Sequence, residues 1–128
     1  MVQSINTKSD LVINGTSHMG LSEYGKIMVG DKGFEFYSDR DNKNFIQIPW
    51  DEVRRVIVSV MFKGKWIPRF AIQTKKNGMF TFSSKDPKRV LRAIRVYIKP
   101  KDIVQSLGFF QVISRSLKNI FRKRNKKS

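Results

Sequence analysis

The 128-residue sequence has no cysteine and a single histidine, His18. Without thiols there is no disulfide framework, no thiol nucleophile and no thiolate metal site. One imidazole leaves little material for a multi-histidine metal centre or for histidine-rich acid–base chemistry. Long apolar runs are missing as well. The longest, Val56 to Phe62, is interrupted by Ser59 and falls far short of the roughly 20 residues that span a bilayer. The opening MVQSINTKSD has no basic start followed by an apolar stretch, so it does not read as a secretory signal. Acidic residues are scarce, 10 against 26 Lys and Arg. Together these absences predict a cytoplasmic protein that does not span the membrane.

What is present is enough to fold. With 40% hydrophobic and 12% aromatic residues, a chain of this length predicts one domain with a self-sufficient core, with or without a tail. The net charge of +16 is unevenly spread. Residues 1–87 carry 13 basic and 9 acidic side chains, whereas residues 88–128 carry 13 basic side chains against Asp102 alone. A basic end on a nearly balanced body predicts attraction to something anionic: an acidic membrane surface, nucleic acid or an acidic protein.

Up to about residue 85 the chain reads as short strands between turn signals. LVINGTSH alternates and contains Asn14-Gly15; GKIMV lies between Gly25 and Gly30; Asp31-Lys32-Gly33 turns into FEFY. A polar turn, Asp39 to Asn42, precedes NFIQI. VRRVIVSVMF is β-branched and apolar enough for a buried strand. Lys63-Gly64-Lys65 turns into WIPRFAIQT, and Asn77-Gly78 joins RFAIQT to MFTFS as the strongest hairpin signal in the chain. Six or seven strands are expected.

The pattern changes at Asp86-Pro87, a good helix cap followed by a residue suited to the first helical position. Val90, Leu91, Ile94, Tyr97 and Ile98 then recur at helical spacing, with Lys88, Arg89, Arg92 and Arg95 largely off that face, until Pro100 ends the run. The spacing predicts a helix over 87–98 that packs its apolar stripe on the strands, because a helix this short is not stable alone.

Antiparallel strands closed by one amphipathic helix resemble the pleckstrin-homology superfold, and especially its GRAM-like variants. The resemblance is carried by Ile48-Pro49-Trp50-Asp51-Glu52-Val53 before a buried strand and by FAIQTKKNGMFTFSSKDPKRVLRAIRVYI after it. It implies an N-terminal arm over 1–9, a small barrel over 10–99 and a C-terminal extension over 100–128. A second resemblance runs almost from end to end. The opening MVQSINTKSD, YGKIMVGDKGFEFYSDR, FKGKWIPRFAIQTKKNG and SLGFFQVISR are similar to a bacterial family of ManO-like accessory or regulatory proteins. Members of that family are encoded beside mannose-family phosphotransferase transporters. The resemblance implies a cytoplasmic partner of the transporter's membrane components, and it brings no catalytic motif.

Beyond Pro100 the chain ends in a basic, amphipathic segment. Projected as a helix, Phe109, Phe110, Ile113, Leu117, Ile120 and Phe121 fall on one arc. Arg115, Lys118, Arg122 and Lys123 lie outside it, and Arg124, Lys126 and Lys127 follow. Gly108 separates this helix from a shorter turn over Lys101 to Leu107. Three readings of the segment stand side by side. It packs on the body or on a second copy, it lies in a membrane interface with its cations on anionic head groups, or it docks on a protein surface.

Enzyme chemistry finds no support. No phosphate-binding glycine loop and no nucleophile elbow is present. Asp39 and Asp41 sit in the turn-like SDRDN, and Asp51 and Glu52 are expected to pair with Arg54 and Arg55. No catalytic, cofactor-binding or metal-binding residue is assigned. HMGLSEYGK lacks the cluster of cations with which pleckstrin domains hold phosphoinositides, so that ligand does not come with the fold. The reading is a non-enzymatic accessory protein, peripheral at the inner membrane face. The alternative is a soluble regulator that binds nucleic acid through a basic face over 88–127, including Lys88, Arg89, Arg92 and Arg95.

Overall fold

Backbone pairing in the first 84 residues follows from two sets of consecutive strands, each short enough in its connections to fold back antiparallel. The computed structural model describes residues 3–41, 43–60 and 66–105. The first meander comprises β1 (Ser9–Ser17), β2 (Glu23–Gly30), β3 (Gly33–Ser38) and β4 (Phe45–Pro49). The second comprises β5 (Val53–Val58), β6 (Phe70–Thr74) and β7 (Met79–Ser84). The far end of β1 joins them, Gly15, Thr16 and Ser17 pairing with Ser84, Ser83 and Phe82 of β7. Asn14-Gly15 lies inside β1 and makes no turn, whereas Asn77-Gly78 does link β6 to β7. There Gly78 takes a φ of 78°, and its carbonyl accepts from the Thr74 N–H at 2.8 Å.

Alternation decides which face is covered. In β2, Gly25, Ile27 and Val29 are buried while Tyr24 and Lys26 face water, as expected for a sheet packed on one side. The inward side chains meet across a strongly bent sheet. Phe34 of β3 lies 4.8 Å from Phe82 of β7 and 6.1 Å from Phe70 of β6, ring centre to ring centre. Yet β2, β1 and β7 stand between β3 and β6 in the sheet order. Only folding the sheet over itself brings those rings together.

Helix α1 (Pro87–Ile94) packs against β1, β2 and β7. Asp86 caps it through its carboxylate, which accepts from the Arg89 N–H at 3.3 Å, and Pro87 takes the first position. Val90, Leu91 and Ile94 are buried, as is Ile98 in the turn that follows. Full burial of each such side chain is worth about 1.5–3 kcal/mol, which holds a helix too short to persist by itself. The regular helix ends at Ile94, four residues before the expected limit. The chain then loosens into a turn in which the Ile98 N–H still donates to the Ile94 carbonyl at 3.0 Å.

Two expectations about the sheet need correction. Among the described residues it has eight strands, in the order β4-β3-β2-β1-β7-β6-β5-β8, and they do not close into a barrel. Pro49, which ends β4, has no N–H to offer, and a 3-10 turn over Trp50–Glu52 then carries the chain away to β5. The second correction concerns the segment after α1, where a helical turn was expected. A 3-10 turn over Pro100–Asp102 leads instead into β8 (Ile103–Gln105), which pairs parallel with β5 and so breaks the all-antiparallel pattern. The mainly-β architecture with one packed helix stands. Among the described residues, no helix is long and apolar enough to cross a membrane.

Candidate functional site

On a helix advancing 100° per residue, positions 88, 92 and 95 fall within one narrow arc. That arc flanks the buried stripe of Val90, Leu91 and Ile94, so Lys88, Arg92 and Arg95 are exposed along one side of α1. They line a groove of about 400 Å³ with Leu91 on the helix and Val58, Pro100, Ile103 and Gln105 across from it. Val58 and Leu91 are buried and Ile103 is half-buried, so the depth of the groove is apolar and its rim cationic. Among the described residues, no acidic side chain lies within 4.0 Å of the three cations. A surface with unneutralised positive charge over an apolar floor suits a ligand that is both anionic and apolar.

The basic face expected on this helix is therefore assembled in part. Lys88, Arg92 and Arg95 come together; Arg89, on another side of the helix, does not line the groove. The apolar arc Phe109, Phe110, Ile113, Leu117, Ile120 and Phe121 lies outside the described residues. So do the cations Arg115, Lys118, Arg122, Lys123, Arg124, Lys126 and Lys127.

The acidic pairs have structural partners of a simpler kind. Asp39 accepts from Lys26 Nζ at 3.2 Å, and Asp41 accepts from the Lys43 N–H at 2.9 Å within the β3–β4 turn. Asp51 and Glu52, expected to pair with Arg54 and Arg55, make no ion pair with them within 4.0 Å; they sit in the 3-10 turn before β5. His18 Nε2 lies 2.8 Å from Ser83 Oγ, and Nδ1 lies 3.4 Å from Ser22 Oγ. Burial, and then the charge of Arg69, lower the imidazole's pKa, so His18 is neutral at pH 7 and ties the end of β1 to β7.

One polar centre has no signal in the sequence. Glu35 of β3 stands between Phe34 and Phe36 and points away from the core, yet it is fully buried. The N-terminal arm lies across it. Ser4 Oγ and Asn6 Nδ2 donate to Oε1, at 2.5 and 2.7 Å, and the Ile5 N–H donates to Oε2 at 3.3 Å. Tyr37 Oη and Gln47 Nε2 complete the shell from β3 and β4. Burial alone would raise the carboxyl pKa; the donors outweigh it and hold it below the ordinary value. Next to it, Asp31 accepts from the Thr7 hydroxyl and from the Thr7 and Lys8 N–H groups, which bring its pKa down to about 2. The close approach of the arm leaves no room at Gly30, where a Cβ would lie 2.4 Å from the Lys8 carbonyl oxygen. A polar arm and a GDKG turn were both visible in the sequence, but nothing local said that one lies on the other.

Beside the arm, the Trp50 ring stacks on Tyr97, 5.3 Å apart and 12° from parallel. Its Nε1 donates to the Gly30 carbonyl at 2.9 Å. Trp50 thus joins the end of α1's turn to the β2–β3 connection.

Comparison with known proteins gives two positive results. The fold is similar to that of a solved structure described as the C-terminal domain of an unknown protein from Leishmania infantum, with a TM-score of 0.61 and 14% identity. The similarity covers 70% of this chain and 83% of that one, and at this identity it concerns the fold alone. No curated protein matches the sequence. Residues 1–117 match the family described as domain of unknown function (DUF956), so that all but the last part of the chain is accounted for, and the protein belongs to that family.

Proposed function

We propose that this protein is a non-enzymatic accessory and regulatory module that attaches to an anionic membrane surface and engages a protein partner there. The observation that carries the reading is the position of Gln105. It lines the groove beneath Lys88, Arg92 and Arg95, and the segment it leads into, residues 106–128, carries seven basic and no acidic side chains. The cationic segment thus follows directly on a residue that lines the cationic groove. Each Lys or Arg held near an acidic leaflet contributes about 1 kcal/mol. The arc from Phe109 to Phe121 would add insertion of apolar rings. On the resemblance to ManO-like proteins, we locate this work at the cytoplasmic face beside a mannose-family phosphotransferase permease. We also read the two bent meanders and their packed helix as a pleckstrin-like, GRAM-like core, open between β4 and β8.

Co-sedimentation with phosphatidylglycerol vesicles and with phosphatidylcholine vesicles tests the attachment. The full chain should bind the anionic vesicles at low and at physiological salt and leave the neutral ones alone. Phe110→Ser with Phe121→Ser should remove most binding at physiological salt. No binding by the intact chain at low salt overturns the reading. Binding to duplex DNA or RNA that survives loss of both rings and falls steeply with salt would establish the nucleic-acid alternative in its place.

A further inference from the structure

We infer that the groove between α1 and β8 is a docking site for an extended acidic segment of a partner protein, one with carboxylates at alternate positions and an apolar residue between them. The inference deepens the proposed function by naming the chemistry of its protein partner, and it rests on that reading for the existence of such a partner.

The charges come first. Lys88, Arg92 and Arg95 run along about 10 Å of helix at 1.5 Å per residue, and among the described residues none of them makes an ion pair within 4.0 Å. Alternate residues of an extended chain project to one side about 6.6 Å apart. That repeat is close to the rise of about 6 Å between Lys88 and Arg92 and somewhat longer than the rise of about 4.5 Å between Arg92 and Arg95. Two carboxylates two residues apart therefore reach two of the three cations at once. The residue between the carboxylates points the opposite way, across the groove from the helix, where Val58 and Ile103 offer an apolar floor.

The same floor separates this occupant from the others. A bilayer surface reaches the cationic rim but not the recessed Val58 and Leu91. Nucleic acid would use the cations, but among the described residues no aromatic side chain lines the groove for a base to stack on. The chain's own residues 106–128 carry the same charge sign as the rim, so charge sets them against it.

The test uses the full chain and fluorescence anisotropy of a labelled Glu-Leu-Glu-Leu-Glu peptide. Arg92→Glu with Arg95→Glu should weaken binding by at least about tenfold, the usual effect of removing charge pairs at an interface. Arg89→Glu, one charge reversal off the groove, should change it less than about twofold. A Glu-Ser-Glu-Ser-Glu peptide should bind several-fold more weakly than the leucine peptide. Equal losses in log affinity per reversed charge from Arg89→Glu and from the groove variant overturn the site, since attraction would then be diffuse. Equal affinity for the serine peptide overturns the apolar floor, and absence of binding overturns the inference as a whole. Vesicle co-sedimentation of the same variants keeps the two claims apart. Vesicle binding intact with peptide binding lost on Arg92→Glu and Arg95→Glu supports the groove. Peptide binding without vesicle binding by the wild-type chain sinks membrane attachment alone.

Discussion

Gly15 of β1 and Gly25 of β2 stand directly opposite each other, and neither position has room for a Cβ. At Gly15 the added carbon would lie 2.3 Å from Ile27 Cδ1, the end of a side chain; at Gly25 it would lie 2.1 Å from the Tyr37 carbonyl oxygen, which is backbone. A side-chain tip can move aside, but a paired strand cannot do so cheaply. Gly15→Ala should therefore cost about 1–3 kcal/mol and Gly25→Ala more than that. Urea unfolding of the two variants checks the order. Equal costs would mean that the sheet accommodates both.

Glu35 predicts how the arm responds to acid. A carboxylate with a lowered folded-state pKa contributes stability above its unfolded value, and that contribution is lost as pH falls through the folded one. Asp31, held at about 2, behaves in the same way at the other end of the arm. The amides of Thr7 and Lys8 should thus lose protection from hydrogen exchange as pH falls towards about 2, and that of Ile5 as pH falls below the ordinary glutamate range. Glu35→Ala removes the acceptor that Ser4, Ile5, Asn6 and Gln47 share and should cost about 1–3 kcal/mol. It should also remove Ile5 protection at neutral pH. Protection unchanged in that variant would show that the carboxylate does not hold the arm.

Tyr97 predicts an event at the alkaline end. Its hydroxyl donates to Asp10, which raises its pKa to about 12. A group whose folded pKa is raised contributes stability below its unfolded value, near 10, and loses it as pH rises to the folded one. Absorbance titration should show a tyrosine that ionises near pH 12. Tyr97→Phe should abolish that step, and Asp10→Asn should move it down.

His18 predicts a titration of opposite sign. Its lowered pKa means that the neutral ring is favoured in the fold, so its contribution is present above about 6.5 and declines as pH falls. The chain has one histidine, so one imidazole resonance reports it. Its midpoint should lie below 6.5, and Arg69→Gln should move it part of the way back, since burial is the larger cause.

Features with a local cause were legible in the sequence. Alternation along β2 and β3, the Asn77-Gly78 turn and the Asp86-Pro87 start of α1 all depend on neighbours a few residues away. Lys88, Arg92 and Arg95 could be placed on one helical face for the same reason. What could not be read depends on distance in the chain. β8 is three residues long, too short for any period to register, and its partner lies some 47 positions earlier, Ile103 against Val56. Glu35 looks like an ordinary outward residue of a strand until Ser4 to Asn6 are known to cross it. The groove has the same origin, since its far side is supplied by β5 and β8.

The parallel pairing of β8 has a mechanical consequence. A pull applied at Gln105 reaches the fold through three residues paired with Val56, Ile57 and Val58, at the outermost position of the sheet. That strand yields before the Phe34, Phe70 and Phe82 cluster feels the load. Its release pays out the chain back to Lys99, about 20 Å when drawn straight. The β8 end of the sheet therefore has slack built into it, and tension is taken up as length before it is taken up as unfolding.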